Sequence, residues 1–174
     1  MLCLYSLCFI APVHCCFLQF MFPILRQGHY ILLYIDFRNF RYEIIDNSTL
    51  QSNKQLKYGG CLNELLVMLV EFFACIDPAR STMCACLESK RMQMSWRDGK
   101  NKVDYGVYVM HHMESYVGQG VARWRCGLTK GNVAQLKKLM LRYMKELATS
   151  EFNLHKCRNI SRAYQFVSSI PRAP

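Results

Sequence analysis

Residues 96–118, WRDGKNKVDYGVYVMHHMESYVG, decide how the rest of the chain is read. Asp104 and Tyr105 precede Gly106 and an apolar run in which Val107, Met110, Met113 and Val117 recur at near-helical spacing. That spacing predicts a helix with those four side chains on one face. Asp104 is a suitable N-cap, because its carboxylate can accept from the first free backbone N–H groups. Position 105 then stands at the positive end of the helix dipole. A cysteine nucleophile is well placed at such a point, where the field favours thiolate over thiol. This chain has Tyr105 there.

Working upstream, HYILLYIDF (29–37) is short and rich in β-prone residues, and Arg38-Asn39 follows it as a turn. FRYEIID (40–46) alternates Phe40, Tyr42 and Ile44 with Arg41 and Glu43, which predicts a strand with one buried and one wet face. Together they predict a β-hairpin. Antiparallel pairing brings the start of one strand beside the end of the other, so His29 and Asp46 can meet. A carboxylate so placed would hold an imidazole and stabilise its protonated form. Taken singly, a His at a strand start and an Asp before Asn-Ser are ordinary features.

The flanking letters add to this. Asp104-Tyr105-Gly106-Val107-Tyr108-Val109-Met110, with His112-Met113-Glu114, resembles the Asp-Cys-Gly…Met…His-Met-Glu segment of the ubiquitin-like (SUMO-type) protease family, its plant members above all. Gly28-His29-Tyr30-Ile31-Leu32 resembles that family's strand with the catalytic histidine, and Glu43-Ile44-Ile45-Asp46-Asn47-Ser48 its segment with the orienting aspartate. The three occur in the family's order. The resemblance implies an α+β fold, the papain-like cysteine protease fold, N-terminally incomplete, in which thiol hydrolysis removes SUMO-like modifiers from proteins. It implies His29 as base, Asp46 as its orienter, Tyr105 at the nucleophile position, and backbone N–H groups at the helix start as oxyanion donors. The loop before position 105 (97–103) has no Gln, a residue many members use on the oxyanion; Gln93 reads as a solvent-facing strand residue. A phenol has a reference pKa near 10 and reaches too far for the acyl carbonyl to sit against His29. Loss of a triad nucleophile typically costs on the order of a millionfold in turnover, so a catalytically dead member is expected. The implied partner is a ubiquitin-like modifier or its protein conjugates, bound by a monomer without cofactor or metal in the nucleus or cytoplasm.

Composition sets wider bounds. The 174 residues are 52% apolar, enough for a core, and carry a formal charge of +10. That charge suits acidic partners or is a merely solvated surface. The ten cysteines form no C-x-x-C pair and no zinc-like spacing, which favours free thiols in a reducing compartment. Residues 1–25 lack any charged side chain. A remnant leader of a truncated or rearranged gene product, a membrane-associated segment and a signal peptide all remain open for them, although Pro12, His14, Gln19 and Pro23 interrupt the run and no Lys or Arg precedes Arg26. Membrane association is expected through these residues or not at all.

Further along, residues 47–60 read as a loop. CLNELLVMLVEFFAC (61–75) reads as a buried or docking helix that Asp77-Pro78 ends, and RMQMSW (91–96) as a half-buried strand. His111 and His112 would point about 100° apart on a helix and cannot act as a pair. Residues 132–148 read as an amphipathic helix with Leu136, Leu139, Met140, Tyr143, Met144 and Leu147 in its stripe and Lys137, Lys138, Arg142 and Lys145 opposite, a solvated face rather than a nucleic-acid surface. The domains expected are a leader (1–20), a protease-family domain (21–150) and a basic tail (151–174), poorly ordered at its end.

Overall fold

The run HYILLYID forms β2 (His29–Asp36), an inner strand of a four-stranded sheet with β1 (Gln19–Arg26), β3 (Arg41–Ile45) and β4 (Ser89–Arg91) in the order β1-β2-β3-β4. β2 pairs antiparallel with β1 and β3, and β3 pairs parallel with β4. The structure is a computed structural model and describes residues 19–48 and 57–170. Residues 19–25 of the uncharged N-terminal run thus belong to the sheet; the expectations for residues 1–18 lie outside the described residues. Pro23 is tolerated because β1 lies at the sheet edge and needs hydrogen bonds on one side only.

β2 is apolar along its length because both faces of the sheet are covered. Ile31, Leu33 and Ile35 enter one core with Tyr42, Ile44 and Phe73. Leu32 and Tyr34 enter a second core with Ile45, Trp96, Val109 and Trp124. The helices of the first core are α1 (Cys61–Ile76) and α2 (Pro78–Cys86). Asp77 separates them: its side chain accepts from Arg80 N at 3.1 Å, and Pro78 follows at the first helical position. The second core takes α3 (Tyr105–Ser115) and the chain on either side of it.

The two-sided sheet corrects one expectation. β3 has no wet face: Glu43 is buried and its carboxylate accepts from the Tyr116 phenol. Phe40 lies outside the strand, 63% exposed in the turn with φ of +49°. Asp36 builds that turn, its carboxylate accepting from the backbone of Arg38 and Asn39 at 3.0 and 3.2 Å.

The expected strand at 91–96 is also corrected. Met92, Met94 and Trp96 are buried and Gln93 and Ser95 exposed, as its alternation predicts. The ladder nevertheless ends at Arg91, with one further backbone bond from Met92 N to Ile44 O. An extended chain laid across a core shows a period of two whether or not it has a strand partner.

α3 exists where expected, and of the expected stripe Val107 is buried and Met113 packs against the core, but the inward face is wider: Tyr108, Val109, His112 and Tyr116 are buried as well, while Val117 lies beyond the helix and is 68% exposed. His112, for which the helical spacing allows a structural or a surface role, is inside: Trp96 Nε1 donates to its Nε2 at 3.2 Å, satisfying one buried polar atom with another. Asp104 stands at the N-cap position without capping, since its carboxylate takes the Asn101 amide at 2.7 Å instead.

Residues up to Gly131 form one compact unit and those from Asn132 a second. The second contains α4 (Val133–Thr149) and α5 (Lys156–Ser169). Asn132 caps α4, accepting from Gln135 N at 3.0 Å. The tail expected after residue 150 therefore carries a helix; residues 171–174 lie outside the described residues. Among the described residues no helix is long and apolar enough to cross a membrane.

Burial holds the His112 imidazole down at about 3, with the neighbouring His111 charge adding to the effect. A folded-state value below the unfolded one, about 6.5, means stability that is full above pH 6.5 and declines as pH falls through that value. Urea titrations at pH 6.5 and 5 should show the unfolding free energy lower at pH 5 by about 1.7 kcal/mol from this residue. His112→Gln should flatten that slope whatever it does to absolute stability; an unchanged slope would refute the assignment.

Candidate active site

The hairpin register does what antiparallel pairing requires. Leu32 lies opposite Ile45, so the chain leaving β3 passes the first residues of β2. His29 Nε2 there meets Asp46 Oδ1 at 2.8 Å, with the carboxylate fully buried and the imidazole 19% exposed. With Nε2–H donating to the carboxylate, Nδ1 is left as the ring's basic nitrogen. That atom is buried and has no hydrogen-bond partner among the described residues.

Tyr105 closes the group. It is the first residue of α3, and its ring stands edge-to-face against the imidazole with centroids 4.1 Å apart. All three residues singled out in the sequence are therefore brought together. Since Nδ1 has no partner, the phenol oxygen does not bond to it, and the ring packs beside the imidazole. Burial and then the Asp46 charge push the Tyr105 hydroxyl above its ordinary value. A phenol neither hydrogen-bonded to an imidazole nor eased toward phenolate lacks the marks of an activated nucleophile.

Asp46 has more partners than a triad needs. The Tyr58 hydroxyl donates to Oδ2 at 2.7 Å and Ser48 N to Oδ1 at 2.8 Å. Lys57 forms an ion pair with Oδ2, and Arg91 Nη2 lies 3.2 Å from it. Burial alone would raise this carboxyl, but the bonds from His29, Lys57, Ser48 and Tyr58 outweigh it and hold the group well below the carboxylate range. Arg91 Nη2 also donates to Ser48 O at 2.5 Å, so β4 is fastened to the same turn.

Sequence reasoning missed Lys57, Tyr58 and Arg91. Lys57 and Tyr58 were assigned to a loop, and Arg91 to the wet side of a strand. The available signal was Asp46 itself, because a carboxylate ending an apolar strand needs several donors to stay charged. The other histidines are placed elsewhere: His111 Nε2 lies 2.8 Å from Cys126 O, and His112 is in the second core. Gln93 is exposed and accepts from Arg97. The described cysteines are free thiols; Cys61 is buried with its thiol on Tyr58 O, and burial pushes Cys126 up to about 11.

No family model matches the sequence, and no curated protein is similar to it. A solved structure of the SUMO protease Ulp1, with its catalytic cysteine oxidised to a sulfenic acid, is similar at 18% identity and a TM-score of 0.46. The match covers 75% of this chain and 52% of that one, so the chain spans about half the length of that structure.

Asp46→Asn should cost on the order of 3 kcal/mol of stability, because it leaves two half-buried cations, Lys57 and Arg91, without their buried counter-charge. Wild-type stability from this carboxylate should be full above about pH 4 and fall as acid protonates it. Chemical unfolding of the two proteins at pH 7 and pH 3 checks both statements; a neutral Asp46→Asn change at pH 7 would show that the ion network does not hold the fold.

Proposed function

We propose that this chain is a ubiquitin-like protease domain of papain-like type that binds its modifier without cleaving it. The observation that carries the reading is the His29–Asp46 pair with the Tyr105 ring packed against the imidazole at the start of α3. The substrate class comes from the resemblance of the three segments around His29, Asp46 and Tyr105. The helix start supplies a positive end, the hairpin supplies base and orienter, and the position between them holds a phenol where a thiol is required.

The ligand is the extended diglycine end of a ubiquitin-like modifier, docked where the start of β2 meets the start of α3. In a thiol enzyme, His Nδ1 would take the thiol proton, the thiolate would attack the carbonyl after the second glycine, and the same imidazole would protonate the leaving amine. Here the first step has no donor. The imidazole keeps its lone pair, the carboxylate keeps its network, and the phenol blocks approach to the base.

Wild-type protein should give no product from a SUMO fusion over a day, while Tyr105→Cys should give a measurable single-turnover rate and react with a vinyl-sulfone-tipped modifier. Circular dichroism and a melting curve establish that the variant is folded. Cleavage by the wild type would overturn the reading, as would a folded Tyr105→Cys protein that neither cleaves nor labels. Titration of the wild type with the intact modifier should show saturable binding that a modifier lacking its diglycine end does not give.

A further inference from the structure

The second unit presents a separate problem. α5 is a 14-residue helix with no buried residue, and every side chain from Ser161 to Ser169 is exposed. An isolated helix of that length is marginal in water, because nucleation costs more than its few hydrogen bonds return. Its stability has to come from a surface that covers it. The apolar side chains are large: Tyr164, Phe166, Val167 and Ile170 are each at least half exposed. α4 repeats the pattern, with Met140, Met144 and Leu147 exposed along one side and only Leu136 and Tyr143 buried.

The turn between the helices is the most exposed apolar part. Phe152 is 87% and Leu154 97% exposed, although the backbone around them is fixed. Asn153 donates its side-chain amide to Leu147 O at 2.8 Å and to Ala148 O at 3.3 Å, and Lys156 N bonds to Asn153 O. An ordered turn that holds a phenyl and an isobutyl group out in water is built for something that receives them.

Charge narrows the identity of the receiver. Residues 132–174 carry eight Lys and Arg against two Glu, so more than half of the chain's net charge lies in its last quarter. α5 has Lys156, Arg158 and Arg162 and no acidic residue. A polyphosphate backbone would reward the cations but not the exposed Phe, Leu, Met and Val side chains. A surface with anionic groups above an apolar layer rewards both at once, the arrangement that interfacial basic amphipathic helices use. We propose that the α4–α5 hairpin is a docking element for an anionic lipid surface, with Phe152 and Leu154 entering the acyl boundary and the flanking Lys and Arg side chains on the headgroups.

The test uses the full chain and sedimented vesicles of phosphatidylcholine, alone or with 30% phosphatidylserine. Binding should be at least about tenfold stronger to the anionic vesicles, weaken steeply between 50 and 300 mM salt, and raise helical content by circular dichroism. Phe152→Ser with Leu154→Ser should leave the melting temperature unchanged, since both side chains are exposed, and reduce binding at least about tenfold. Lys156→Glu with Arg162→Glu should reduce it by a similar factor. Equal binding to both vesicle types, or full binding by either double variant, would overturn the proposal and assign lipid contact to the apolar N-terminal residues. Failure to bind vesicles while duplex DNA is retained in a salt-dependent manner would overturn it in favour of a nucleic acid.

Discussion

The buried carboxylate of Asp46 is the constraint on which the first unit depends. It accepts from the Ser48 amide, the Tyr58 hydroxyl and the His29 ring and pairs with Lys57 and Arg91. These groups come from the end of β3, the start of β2, the chain before α1 and the end of β4. A charge in such a place is costly unless compensated from several sides, and the compensation is what ties these segments together. The carboxylate is therefore structural before it is chemical, and any account of the site has to begin from that order.

The order bears on the imidazole. An aspartate that serves only a histidine directs its whole field at the ring and favours the imidazolium a cysteine protease forms. Here two cations already answer that field, one an ion pair with Oδ2 and the other 3.2 Å from it. The carboxylate still orients the ring through the 2.8 Å bond, and it does so while also serving the cations and the Tyr58 hydroxyl.

Much of this was legible in the sequence, for reasons that differ by element. The hairpin could be read because ILLYI is too apolar for a surface strand and because strand pairing dictates which ends meet. The His29–Asp46 encounter follows from that pairing and from the segment resemblance. The burial of His112 is not legible in the helical spacing, because its place inside depends on Trp96, sixteen residues earlier in the chain. The wet face expected for β3 failed in the same way, since Glu43 is covered by Tyr116, 73 residues away. Periodicity measures only local alternation. It reports which residues could face inward, and distant partners decide which do.

Tyr105 is accommodated by its packing. A ring forced into a filled core would displace its neighbours. Here it lies edge-to-face against the imidazole with centroids 4.1 Å apart, closer than the roughly 4.5–7 Å usual for aromatic pairs. The contact joins the start of α3 to the start of β2, so the imidazole that is tied to the Asp46 network is also packed against the helix.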